Sequence, residues 1–307
     1  MDRFDVVATG LEFPEGPVVL PDGSVLVVET RRGTLSRVTP EGRVEVVAEC
    51  GGGPNGAAIG PGGRVYVCNN GGFEWAQVAG MWIPHGTPAD YRGGSIQVVD
   101  LETGAVDVLY AEADGRGLRG PNDLVFDDQG GFYFTDHGKS DGSVVDIGVL
   151  YYARADGSGI DAIGRGLQGP NGVGLSPDGS RLYVSETPTG SVWWWDVHGP
   201  GKITGGRTFA GSGGGNFLFR WPEFALFDSL AIDAEGNVCV ATLVKGGISV
   251  VSPAGELIDF VANPDDPGTT NIAFGGDGHH DAYITSSSTG RLLRTRWDRP
   301  GLPLRRN

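Results

Sequence analysis

The sequence is short of what a disulfide framework or a zinc site needs. Its three cysteines, Cys50, Cys68 and Cys239, are odd in number and far apart. No apolar run approaches the roughly 20 residues that cross a bilayer as a helix. The N-terminal residues 1–5 lack a cationic stretch followed by an apolar one, so a reduced, cytoplasmic protein without a signal peptide is expected. Positive charge is scarce as well: 23 Lys and Arg against 38 Asp and Glu leave a net charge of −15. Such a surface repels nucleic acid and anionic membranes, so neither is an expected partner. There is no G-x-S-x-G nucleophile elbow, no phosphate-cradling loop and little helical periodicity.

Glycine is abundant, at 54 residues with 19 prolines, in a chain that is 39% hydrophobic and 20% charged. This suits many short strands joined by tight turns, because turns need backbone angles that other residues resist. One pattern then recurs: a polar residue, a short apolar run, a Gly/Asp turn and a second β-rich run. The copies are EGPVVLPDGSVLVVET from Glu15, NGAAIGPGGRVYVCNN from Asn55, NDLVFDDQGGFYFTDH from Asn122, NGVGLSPDGSRLYVSET from Asn171 and DSLAIDAEGNVCVATL from Asp228. A looser sixth copy, TNIAFGGDGHHDAYITSS, follows from Thr270. Each reads as a β-hairpin. The turn glycines stand at 23, 63, 130, 179, 236 and 278, spaced for roughly four strands per unit. Six such units predict an all-β, six-bladed β-propeller, with residues 1–307 as one domain. A jelly roll or sandwich would not repeat this motif six times.

The offset inside the repeat carries the functional argument. Glu15, Asn55, Asn122, Asn171, Asp228 and Thr270 each stand eight residues before their turn glycine, with Asn271 one residue nearer. If the first strand of each hairpin is innermost, these side chains form one ring at a mouth of the central tunnel. Asn and Asp also open strands for turn reasons alone, so a single copy carries either reading. Two carboxylates crowded with amide carbonyls are costly without a cation. An oxygen-only donor set suits calcium, then magnesium or manganese, with zinc less suited because no His or Cys joins the ring. A second set, Glu29, Asn69, Asp136, Glu186 and Thr242, follows the turns and returns to the same end of each blade. These residues either orient the ring as supporting partners or face solvent as polar strand ends.

At FPEGP (13–17), GPND (120–123), GPNGVGLSPDGSRLYVSET (169–187), DSLAID (228–233) and TNIAFGG (270–276), the chain resembles the senescence-marker-protein/gluconolactonase/luciferin-regenerating-enzyme-like family of calcium-dependent lactone hydrolases. The resemblance spans nearly the whole chain. It implies Glu15, Asn171 and Asp228 as metal ligands, with Asn122 a fourth ligand or the holder of substrate or water. It also implies a metal-polarised ester carbonyl and Asp228 as the general base. Sugar-lactone members carry an Arg two residues before the equivalent of Asn122; here that position is Gly120, and the nearest arginine is Arg119. Two aromatic-rich insertions, residues 69–94 with Trp82 and residues 211–227 with Trp221, read as pocket walls or as packed surface clusters.

An apolar or aromatic lactone is therefore the expected substrate, with Asn55, Asn122, Arg119, His137, Trp82 and Trp221 as the candidate contacts. Catalysis falls to Asp228 and Asn122. His137 beside Asp136 is a candidate for proton transfer, whereas His279–His280 reads as a turn and Trp193–Trp195 as partly core. Organophosphate hydrolysis by the same site, or a non-hydrolytic strictosidine-synthase-like or binding propeller, are the competing readings. The only partner implied is a small molecule, and homo-oligomerisation is compatible with the sequence.

Overall fold

In a computed structural model of the protein, residues 4–206 and 214–304 are described. The expected hairpins are there, and each opens a four-stranded antiparallel blade. Blade 1 runs Pro14–Val19, Val25–Glu29, Thr34–Val38 and Val44–Glu49 from its inner to its outer strand. Blade 2 follows with Pro54–Ile59, Val65–Asn69, Ser95–Val99 and Val106–Tyr110. Blade 3 comprises Pro121–Phe126, Gly131–Asp136, Gly148–Arg154 and Ile160–Leu167. In blade 4, Pro170–Leu175, Arg181–Glu186 and Ser191–Gly199 are followed by two outer segments, Lys202–Thr204 and Asn216–Arg220, which both pair with the third strand. Blade 5 holds Leu226–Ile232, Val238–Leu243, Gly247–Val251 and Leu257–Ala262.

Blade 6 takes Thr269–Gly275, Asp281–Ser286 and Arg291–Arg296 from the C-terminal part and borrows its outer strand, Asp5–Thr9, from the other end of the chain. That pairing ties the two ends of the circle together. The six inner strands touch in cyclic order, so the sheets stand around one axis as a six-bladed propeller.

Residue chemistry explains the layering. Second strands such as Val25–Glu29 and Val65–Asn69 are buried at every position, because neighbouring blades cover both faces. Outer strands such as Val44–Glu49 show exposed or half-buried residues at all positions but one. Six apolar clusters fill the gaps between adjacent blades; in one, Tyr66, Phe126, Phe132 and Phe134 pack across blades 2 and 3. All six turn glycines have positive φ, from +63° at Gly278 to +85° at Gly236, which is what these tight turns require.

The insertion at 69–94 is more ordered than a loop. It contains a two-stranded hairpin, Glu74–Val78 with Met81–His85, closed by Ala79 and Gly80 at φ +51° and +84°. The second insertion, residues 211–227, begins at 211–213, outside the described residues. Its aromatics disperse: Phe227 is fully buried, Phe217 lies on the outer segment of blade 4, and Phe224 is exposed. His279–His280 sits in the turn of blade 6, and of the tryptophan triplet Trp195 is buried while Trp193 and Trp194 are half-buried. No helix is long and apolar enough to cross a membrane among the described residues.

Candidate active site

The pairing register places the polar repeat residues at one height. In each blade the residue just before them pairs with the end of the second strand: Pro14 with Glu29, Pro54 with Asn69, Pro121 with Asp136, Pro170 with Glu186, Phe227 with Thr242, and Thr269 with Ser286. The register then breaks within the next three residues in all six inner strands, directly at the ring residue in five and just after Glu15 in blade 1. A bulge re-aims side chains, and here it acts on Glu15, Asn55, Asn122, Asn171, Asp228 and Thr270. All six are buried. Thr270 is taken up by Thr285 and Ser287, so five residues remain for chemistry.

Their hydrogen bonding is incomplete in a specific way. The side-chain oxygens of Asn55 and Asn122 are buried with no hydrogen-bond partner. Asn171 is held by a 3.0 Å bond from its Nδ2 to Thr187 Oγ1, while its Oδ1 accepts from Ser229 at 3.2 Å. Glu15 Oε2 accepts from Asn271 Nδ2 at 2.9 Å and from the Gly16 amide at 3.0 Å. Burial raises the Glu15 carboxyl above its ordinary value, against the lowering effect of its hydrogen bonds. Burial and then the charge of Glu15 raise Asp228 well above the usual carboxylate range. Burial, helped by Glu15, pushes Asp123 up to about 7. The ring thus contains two buried carboxyls that repel each other, Glu15 and Asp228, with Asp123 adding to the repulsion, and two unsatisfied carbonyl oxygens. Hard oxygen donors of both kinds are what a divalent cation such as calcium takes as ligands, and they fit such an ion. Among the described residues no group of His, Cys, Asp and Glu alone could hold a metal, so the asparagines are needed to complete a donor set.

Sequence reasoning missed the layer beneath. The position after each ring residue reads Gly16, Gly56, Asp123, Gly172, Ser229 and Asn271. In three blades it must be glycine, because adjacent inner strands press backbone against backbone. A Cβ on Gly56 would lie 2.5 Å from Asn122 O, and one on Gly172 2.5 Å from Leu230 N. In the other three blades the position carries a polar side chain, and Asn271 and Ser229 turn theirs onto Glu15 and Asn171. Repeat alignment one column further would have exposed the pattern.

The second set, by contrast, does not touch the ring side chains. Glu29, Asn69, Asp136 and Glu186 are buried and accept hydrogen bonds from backbone amides of the segments entering the inner strands: Glu12, Gly53, Arg119 with Gly120, and Gln168 respectively. Asp266 does the same for Gly268 before blade 6, while Thr242 bonds Ser249 within its own blade. These residues brace the loops two or three residues ahead of the ring, so they support it through the backbone.

Around the mouth, the insertion of blade 2 reaches widely. Trp82 donates its backbone N–H to Ser288 O of blade 6 at 3.0 Å and lies 3.9 Å beneath the Arg31 guanidinium of blade 1. Lys139 of blade 3 donates to Gly72 O at 2.6 Å and Asn70 Oδ1 at 3.2 Å and sits 4.1 Å from the Phe73 ring. Burial pulls its ammonium down to about 7. Arg119 is paired with Asp146 at 2.8 Å beside Tyr91, with its side chain half exposed. His137 is half-buried against Gly169, and burial together with Lys139 lowers it to about 4, so it is neutral at pH 7. Trp221 is not brought to the ring: it packs on Phe260 in the outer strand of blade 5, 5.3 Å between ring centroids. Behind the ring the tunnel is lined mainly by apolar residues such as Phe126, Leu175, Ile232 and Phe274, with Leu302, Pro303 and Leu304 also in its wall and Asp123 and Asn271 as polar members.

Fold and site define a propeller of the class that gathers oxygen donors from successive blades across its axis. The model of the SMP-30/gluconolactonase/LRE-like region matches residues 13–288, and the chain belongs to that family. A gluconolactonase of Zymomonas mobilis is 28% identical over 95% of this chain and 81% of its own length. A lactonase drp35 of Staphylococcus saprophyticus is 28% identical over 85% of this chain and 72% of its own. Among solved structures, a calcium-binding protein, regucalcin, from Agrobacterium tumefaciens superposes with a TM-score of 0.73 at 17% identity, covering 97% of both chains.

Proposed function

We propose that the protein is a carboxylic-ester hydrolase that opens a lactone at the tunnel mouth. Glu15, Asn122, Asn171 and Asp228 would hold a divalent cation there, calcium in the first place and magnesium, manganese or zinc as alternatives. The carrying observation is the pair of partnerless buried oxygens, on Asn55 and Asn122, in the same ring as two repelling carboxyls. The lactonase names of the relatives and the calcium-binding neighbour support the same reading. A cation in this ring, when bound, supplies Lewis-acid polarisation of the ester carbonyl.

The chain's own groups account for the rest. Water attacks the carbonyl carbon, its proton passes to the Asp228 carboxylate, and the ring C–O bond breaks as that proton is returned to the leaving alkoxide. If Glu15, Asn171 and Asp228 hold the cation without it, the Oδ1 of Asn122, an acceptor, instead orients the attacking water or a substrate hydroxyl. Asn55 offers a second acceptor from the neighbouring blade. His137, neutral at pH 7, lines the mouth without contributing charge.

The substrate is an apolar or aromatic lactone. At Gly120, where sugar-lactone relatives have arginine, a Cβ would lie 2.6 Å from Gly138 O, so no side chain enters from that position. Arg119 is already engaged by Asp146, and the blade-2 insertion surrounds the mouth with Phe73, Trp75, Trp82 and Tyr91.

The test is metal analysis of the purified protein, then turnover of aryl, alkyl and sugar lactones and a phosphotriester. Chelation should abolish lactone turnover, and Glu15→Gln and Asp228→Asn should each cost about 100-fold or more. Full activity in both variants would place the reaction elsewhere, and preferred phosphotriester turnover would replace the lactonase reading.

A further inference from the structure

Phe13 has a backbone conformation that its side chain does not favour. Its φ is +59°, in the left-handed region that bulky residues avoid, yet it is buried two positions before Glu15. Strain of this kind persists only where the surroundings enforce it, and it points to function when it lies at a site. Its carbonyl accepts from the Thr30 amide at 3.0 Å, and its ring meets the blade-2 hairpin, where the Phe13 and Trp75 rings are 4.9 Å apart at 59°. Trp75, Gln77 and Trp82 share one face of that hairpin, because Gln77 and Trp82 are cross-strand partners.

At its other end the same hairpin is anchored by Trp82 to Ser288 O, next to Ser287, whose hydroxyl donates to Pro14 O. The hairpin therefore bears on the chain just before Pro14 and on the residue following its hydrogen-bonding partner, and Pro14 carries Glu15. It is joined to blade 2 through glycines at φ +79° (Gly71), +99° (Gly72) and +115° (Gly93), and the first two are held by Asn69, Asn70 and Lys139, so the hairpin leaves its blade at a defined angle.

We propose that Phe13 is a positioning residue that couples the seating of the hairpin 74–85 to the placement of Glu15, making this hairpin a lid whose closure and cation binding at the ring reinforce each other. The inference rests on the proposed cation site. Linkage is reciprocal: a lid that sets Glu15 in place raises cation affinity, and the bound cation holds the lid down by the same factor. A lid so coupled closes over a loaded centre and loosens over an empty one.

The experiment combines calorimetric Ca2+ titration with hydrogen–deuterium exchange across residues 74–85, on the full chain and on Trp75→Ala, Phe13→Leu, Phe13→Tyr and Glu15→Gln. Ca2+ should slow exchange in the hairpin of the unaltered protein. Trp75→Ala and Phe13→Leu should weaken Ca2+ by about tenfold and remove the Ca2+ dependence of exchange, with Phe13→Tyr retaining both. Trp75→Ala removes only a ring on the lid, so it carries the test if Phe13→Leu does not fold. Ca2+ binding to the unaltered protein with unchanged hairpin exchange, or a Trp75→Ala affinity within about twofold of it, overturns the coupling alone. Absence of binding, or binding untouched by Glu15→Gln, overturns the ring site and the coupling together.

Discussion

Asn55 and Asn122 each bury a carbonyl oxygen that the rest of the protein leaves without a donor, and an orphan of that kind costs on the order of 1–3 kcal/mol. The ring is therefore built at the expense of stability, as a binding site is. The glycines beside it show the other constraint at this scale. Gly56→Ala would set a methyl 2.5 Å from the Asn122 carbonyl and force two inner strands apart. We expect a loss of about 2–3 kcal/mol in urea unfolding, together with impaired activity, because the strand that must shift carries a ring residue.

Lys139 has a different signature. Burial depresses its ammonium from 10.5 to about 7, so between those values the folded protein binds fewer protons than the unfolded chain. Stability from this group thus rises as pH increases from about 7 towards 10 and is lowest below 7. Lys139→Met should flatten that part of the stability–pH curve in chemical denaturation; an unchanged curve would mean the ammonium is better solvated than its cage of Gly72 O, Asn70 and Phe73 allows.

At the level of elements, the outer strand of blade 6 decides whether the circle closes. Removing residues 1–9 leaves Arg291–Arg296 as an open edge, since Asp5–Thr9 is its only outer partner among the described residues. We expect a lower melting temperature and concentration-dependent association, read by calorimetry and light scattering. The hairpins themselves were legible in the sequence because two independent signals agree there: β-rich runs and a turn glycine that the positive φ values confirm. The equivalence of the six polar repeat positions was legible for the same reason, since the repeat fixes their offset and each lies at or beside a register shift of its inner strand.

What escaped was non-periodic. The hairpin 74–85 is an insertion with no counterpart in other blades, and its anchors on Arg31, Phe13 and Ser288 lie far off in sequence. Trp221 looked like a mouth residue because its segment is aromatic and long, yet pairing of Asn216–Arg220 with blade 4 carries it outward to Phe260. The bracing role of Glu29, Asp136 and Glu186 needed coordinates, because each accepts from a backbone amide 16 to 18 residues away, ahead of the ring, and not from a ring side chain.

For the molecule as a whole, the acidic surface and the ring act together. A net charge of −15 concentrates cations near the protein at low ionic strength, so added monovalent salt should weaken Ca2+ binding. A cation bound by the folded ring and not by the unfolded chain also stabilises the fold, by about 2.7 kcal/mol at a hundred times its dissociation constant.

The most direct measurement of the central claim is therefore the thermal stability of chelator-treated protein titrated with Ca2+, for the unaltered chain and for Glu15→Gln and Asp228→Asn. The melting temperature should climb with Ca2+ in the unaltered chain and stay flat in both variants. An equal climb in all three, or none in the unaltered chain, would contradict a cation site built from Glu15, Asn122, Asn171 and Asp228.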